Sequence, residues 1–117
     1  MNDTIKRGAE GEALAVAALE AKGYKVRERN YRFRRSEIDL IVERDGWLVF
    51  VEVKTRTSDA FGFPEEFVDA KKKQMIFAGA DYYLYITDWN GNVRYDIVAV
   101  NLTEEEPLVH HIEDAFY

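Results

Sequence analysis

The sequence predicts one domain of the α/β or α+β class, ordered helix, three strands, helix, two strands, on three observations. Apolar side chains recur at helical spacing near the N-terminus, three β-branched and aromatic runs follow in quick succession, and turn signals stand at Arg44 to Gly46 and at Asn90-Gly91. With 117 residues the chain is long enough for one core and too short for two, so residues 1–117 read as a single domain.

The opening helix is expected from about Thr4 to Lys22, capped by Asp3 or Thr4 and ended by Gly23 in the left-handed conformation. Its stripe is Ile5, Ala9, Glu12, Val16 and Leu19, spaced four, three, four, three. Glu12 falls in the middle of that stripe, where a carboxylate needs a partner, a cavity or a cation. Alternatively, its stem lies along the core edge and its head reaches water. Gly8 and Gly11 each weaken the helix by ~1 kcal/mol relative to alanine, which points to a close approach by another part of the chain.

Strands are expected at about Lys25 to Phe33, Glu37 to Glu43 and Trp47 to Thr55, the last two joined as an antiparallel hairpin through "RDG". The loop "SDAFGFPEE" leads to a second helix opened by Pro64, favoured at its positive end by Glu65 and Glu66, and running to about Ala80. "YYLYIT" and "VRYDIVAV" then read as a strand pair around Asn90-Gly91. The tail "PLVHHIEDAFY" is apolar enough to pack back. His110 and His111 would point oppositely in a strand, which favours tail packing over shared metal ligation.

Composition narrows the chemistry. The absence of cysteine excludes disulfides, thiolate catalysis and cysteine-held zinc, leaving oxygen ligands for any metal. No apolar run approaches the ~20 residues needed to cross a bilayer, and the charged N-terminus does not read as a secretory leader. A cytoplasmic protein with no membrane association is expected. The net charge of −6 argues against a nucleic-acid partner, but five of the acids lie in residues 101–117, which carry no lysine or arginine. In contrast, "YKVRERNYRFRR", residues 24–35, has six basic residues against Glu28 alone. It reads either as a solvated edge strand or as a seat for a phosphodiester backbone. The run Lys71 to Lys73 allows the same two readings.

Two acids interrupt otherwise apolar strands: Asp39 in "SEIDLIVERDG" and Glu52 in "LVFVEVKTR". Pairing through the Arg44 to Gly46 turn sets Asp39 opposite a residue near Val51 to Val53, within reach of the same cation as Glu52. Lys54 shares the Glu52 face. Such a set suits magnesium or manganese, held by Asp39, Glu52, the Val53 carbonyl and Glu12, with Glu37 as a weaker candidate. The ion would activate water and stabilise charge on a phosphodiester, and Lys54 would orient the water or offset charge. The competing reading is a structural ion-pair network in which Lys54 and Glu52 satisfy each other.

In their order, "SEIDLI", "LVFVEVKTR", "FGFPEEFV", "RYDIVAV" and "HHIEDAF" resemble the YraN-like family of predicted bacterial endonucleases, from about Gly8 to Phe116. That family is similar to archaeal Holliday-junction resolvases and to the restriction-endonuclease-like superfamily with the PD-(D/E)XK motif. The resemblance implies an αβββαβ core, a central mixed sheet flanked by helices, with Asp39, Glu52, Lys54 and Glu12 as motif residues. Ile38 replaces the proline of the motif's name, and Ser36 stands where the family usually has glycine. The expected function is a magnesium- or manganese-dependent DNA endonuclease, acting on branched or junction DNA, with a two-fold dimer suited to symmetric cutting. Arg32, Arg34, Arg35, Arg56 and Lys72 are the expected contacts to DNA. The alternative is a non-catalytic nucleic-acid-binding or adaptor domain, and a third reading is a protein-interaction domain.

Overall fold

A computed structural model describes residues 3–57, 68–103 and 105–117, with backbone alone at residues 3–5. The elements are α1 (Asp3–Ala21), β1 (Lys25–Phe33), β2 (Ser36–Arg44), β3 (Trp47–Arg56), α2 (Ala70–Thr87), β4 (Asn92–Asn101) and β5 (Leu108–Ile112). The strands form a mixed sheet in the order β1-β2-β3-β4-β5, antiparallel throughout except for the parallel pair β3–β4. The helices cover opposite faces, giving an α+β fold.

Strand periodicity divides the core. Ala15, Val16 and Leu19 of α1 bury against Leu40, Val42, Val49, Val51, Val98 and Val100. Ile76, Ala80 and Tyr83 of α2 bury against Ile41, Leu48, Phe50 and Ile97 on the other face. Covered on both sides, β3 is buried from Leu48 to Glu52, which explains its unbroken apolar run.

The β2–β3 hairpin closes as its sequence requires. Arg44 pairs with Trp47 across Asp45-Gly46, and both turn residues have positive φ, 50° and 81°, which suits the right-handed twist of the strands. Gly23, at φ 92°, follows α1 as expected. The side chains of the expected caps Asp3 and Thr4 and of Ile5 lie outside what is described, as do Pro64, Glu65, Glu66 and the rest of the loop at 58–67.

The second half differs from the sequence reading. "YYLYIT" is the end of α2, not a strand, so the helix runs past Ala80 to Thr87. Its described start is Ala70, where the Asp69 side chain accepts a hydrogen bond from the Lys72 N–H at 2.8 Å. The aromatic and β-branched composition of residues 82–87 favours a strand locally, but Tyr83 continues the buried helical stripe begun by Ile76 and Ala80. Parallel β3 and β4 also need a long crossover, which this helix supplies. Asn90-Gly91 therefore belongs to a helix-to-strand link, after Asp88 ends α2 at φ 50°. The tail does pack back, and it does so as β5, pairing Leu108–Ile112 with Ile97–Asn101. No helix among the described residues is long and apolar enough to cross a membrane.

Candidate metal centre

The site forms where two strands part. β2 and β3 pair from Arg44↔Trp47 to Leu40↔Val51, and one further step along that register sets Asp39 across from Glu52. There the backbone ladder gives way to a side chain: Asp39 Oδ2 accepts a hydrogen bond from the Val53 N–H at 2.7 Å. The carbonyl of a strand residue points to the same side as its N–H, so the Val53 carbonyl opens into the same fork. β2 continues along β1 to Ser36 and β3 along β4 to Arg56, which holds both arms of the fork in place.

The two acids meet inside this fork. Glu52 is 4% exposed, and its carboxyl group is near enough to that of Asp39 to raise the Asp39 pKa. Burial, the hydrogen bond with Glu52 and the Glu52 charge raise the Asp39 pKa to about 8, against the opposing Val53 N–H and Lys72. Lys72 Nζ reaches across from α2 to within 3.0 Å of Glu52 Oε2. That contact pairs charges without an aligned hydrogen bond, so Glu52 Oε2 is a buried oxygen that accepts none. Lys54 extends into the same cluster, where burial and the neighbouring Lys72 lower its pKa to about 8. Lys72 shifts upward: burial opposes its charge, but Lys54, Glu52 and Asp39 together outweigh it.

The Lys72 contact revises the competing reading in which Lys54 alone satisfies Glu52, and it turns Lys72, an expected DNA contact, toward Glu52. Sequence reasoning missed it because it depends on the parallel crossover, which carries the first turn of α2 over the end of β3. Lys71 remains exposed.

Two clefts open from Asp39, one on each face of the sheet. The first, about 460 Å³, is lined by Arg7, Glu12, Asp39, Lys54 and Arg56. The second, about 470 Å³, is lined by Arg35, Glu37, Asp39, Glu52, Lys71 and Lys72. Glu12 sits at the edge of the α1 stripe rather than in its middle, because Ala9 is exposed and the buried face begins at Gly11. Its Oε1 accepts a hydrogen bond from Asn30 Nδ2 at 3.2 Å, and burial followed by the Asp39 charge raises its pKa. Gly11 explains how α1 comes so near: a Cβ there would lie 3.0 Å from Thr55 Cβ, two positions beyond Val53. Gly8 has open space around it, so the expected close approach belongs to Gly11 alone.

The remaining candidates divide by position. Glu37 pairs with Arg32 at 3.2 Å, at the rim of the second cleft. The Arg34 guanidinium lies over the Phe33 ring, and Arg56 Nη1 donates to the Thr55 carbonyl at 2.9 Å. Ser36, in place of the glycine, is buried and donates to the Met75 carbonyl at 2.7 Å, pinning the start of β2 to α2.

The donor set fits a hard cation. Among the described residues no three acidic or histidine side chains gather as ligands, so the set is two carboxylates, one carbonyl and water. That is the kind of site magnesium uses, and Glu52 Oε2, which has the Lys72 ion pair but no hydrogen bond, is an oxygen such an ion would share. The Asp39 shift predicts a pH effect when chelator is present. Between about pH 4 and 8 the folded chain keeps a proton that the unfolded chain sheds near 3.8, so stability falls as pH rises through this window. Asp39→Asn should remove that slope and stabilise the fold at pH 8 by on the order of 1–3 kcal/mol, read by urea unfolding at several pH values.

A second buried acid escaped the sequence reading. Asp96 of β4 is fully buried, held by Arg94 Nε at 2.8 Å and Nη2 at 2.9 Å, His111 Nε2 at 2.6 Å and the Asp114 N–H at 3.0 Å. Burial pushes its pKa up, but these partners prevail and the net shift is downward. Lys22 Nζ lies 2.9 Å from His111 Nδ1, and Arg94 also donates to the Tyr24 hydroxyl. This network ties β4, β5 and the end of α1 together one strand over from the fork, where Asp96 pairs with Val51.

Comparison with known proteins agrees with a chain of one family along its length. Residues 11–100 match the family model described as "Uncharacterised protein family UPF0102". A "UPF0102 protein" of Cytophaga hutchinsonii is 45% identical over 106 residues, covering 91% of this chain and 92% of the relative. One from Alkaliphilus oremlandii is 45% identical over 116 residues, covering 95% and 97%. A third, from Thermodesulfovibrio yellowstonii, is 41% identical over 113 residues, covering 97% of each.

Proposed function

The chain belongs to the uncharacterised protein family UPF0102, and from that premise we propose that it is a divalent-metal-dependent endonuclease hydrolysing phosphodiester bonds in DNA, branched DNA among its substrates. One observation carries the reading: two carboxylates, one of them accepting from the Val53 N–H, come together at a strand fork beside two lysines, and the buried Glu52 Oε2 has the Lys72 ion pair but no hydrogen bond. A structural Lys72–Glu52 ion pair has no need of the second acid, and burial beside Glu52 makes ionised Asp39 a cost to the fold that a bound cation would offset.

Asp39, Glu52 and the Val53 carbonyl would hold magnesium or manganese, with Glu12 reaching it through water. When bound, the ion would lower the pKa of a coordinated water and neutralise phosphate charge. Lys54 Nζ, whose pKa of about 8 leaves it able to hold or release a proton near neutrality, orients the attacking water or donates to a phosphate oxygen. Lys72 neutralises Glu52 and positions it. Arg35 and Lys71 in one cleft, with Arg7 and Arg56 in the other, supply positive charge along the two approaches to the fork.

Manganese titration by calorimetry in two buffers of different ionisation enthalpy tests the metal site. Binding near pH 7 should release close to one proton, because the raised Asp39 carboxyl must ionise to ligate. Glu52→Ala should abolish the heat; an unchanged isotherm in that variant would remove Glu52 from the site.

A further inference from the structure

We infer that Phe33 and Tyr82, with Arg34, form a stacking platform for an unpaired nucleobase, so that the substrate is engaged through a single-stranded or splayed segment rather than as continuous duplex. This rests on the nucleic-acid half of the proposed function. The Phe33 and Tyr82 rings are stacked at 4.5 Å with an interplanar angle of 27°, joining the end of β1 to the exposed face of α2. Arg34 lies over Phe33 at 5.2 Å, held at the hairpin tip by a left-handed backbone with φ 56°. Tyr82 is 43% exposed, so part of the stack reaches solvent.

The platform is continuous with the candidate metal centre. Lys71, Met75, Ala78 and Tyr82 recur at helical spacing on one side of α2, and Lys71 to Tyr82 spans about 16 Å along the axis. Lys71 and Met75 line the cleft that holds Asp39 and Glu52. Met75 and Ala78 line the adjoining groove with Phe33, Arg34 and Arg35. A strand laid along this side would meet positive charge at Lys71, Arg35 and Arg34 and an aromatic face at its far end. That run of cations ending on stacked rings matches single-stranded nucleic acid, where phosphates and base faces are both exposed. Bases inside a duplex are stacked on both sides and present only their edges, so an open ring face gives them nothing to bind.

The test uses the full chain with EDTA, so that cleavage plays no part: fluorescence anisotropy of a labelled 12-nucleotide single strand and its duplex, in low salt. Wild type should bind the single strand more tightly. Tyr82→Ala should weaken single-strand binding about five- to tenfold and duplex binding less than twofold, and Tyr82→Trp should restore it. Arg34→Gln should lower the salt dependence on the single strand by about one counterion. Equal losses on both DNAs, no loss on the single strand, or a wild-type preference for duplex would overturn the platform. So would a dimer that Tyr82→Ala dissolves, since a second copy would then be the occupant. A chain that binds as described but cuts nothing leaves the platform standing and removes the hydrolysis; one that cuts regardless of Tyr82 does the reverse.

Discussion

Lys54→Met is expected to slow DNA cleavage about 10²- to 10³-fold while changing DNA affinity less than threefold. Methionine keeps much of the stem and removes the one amine that shares the Glu52 side of β3 and reaches the fork. The half-buried site makes that charge count for more than one in open solvent, because water screens it less. Single-turnover cleavage with enzyme in excess separates the chemical step from binding. A non-catalytic nucleic-acid-binding domain would show the opposite pattern, a loss confined to affinity. Lys72→Met should differ from both, since it leaves Glu52 buried without its 3.0 Å counter-charge and so destabilises the fold as well.

Asp96→Asn is expected to destabilise the fold by about 3–5 kcal/mol without entering the chemistry at the fork. The substitution leaves the Arg94 guanidinium, 12% exposed, without its two charge-assisted bonds, and takes the Asp96 carboxylate from His111. Urea unfolding reads the loss directly. The pH dependence has the opposite sign to that of Asp39. Because folding lowers the Asp96 pKa, its contribution is present above the ordinary value of 3.8 and is lost as pH falls through the lower folded value. Acid below about pH 4 should therefore unfold wild type more steeply than the variant.

The sequence was most legible where one segment decides its own structure. α1, β1 to β3 and the Asp45-Gly46 turn follow from periodicity and turn chemistry within a residue or two. Asp39 and Glu52 stood out because an acid in a buried strand is costly, and hairpin register alone brings them together. What escaped depends on contacts distant in sequence. Residues 82–87 favour a strand locally and become helix because Tyr83 fills the core against Phe50 and Tyr31. Lys72 looks like one of three solvated lysines until the crossover carries it to Glu52. Asp96 gave the same signal as Asp39, an acid within an apolar strand, yet its partners His111 and Asp114 come from a tail whose pairing no local pattern announces.

Hydrolysis at the fork is read out by cleavage of labelled linear, flapped and four-way-junction DNA in low salt with magnesium or manganese, comparing wild type with Asp39→Ala and Glu52→Ala. Wild type should cut in a metal-dependent way, and both variants should lose the activity. A wild type that cuts none of these DNAs with either metal, or variants that cut as well as wild type, would contradict hydrolysis at the fork.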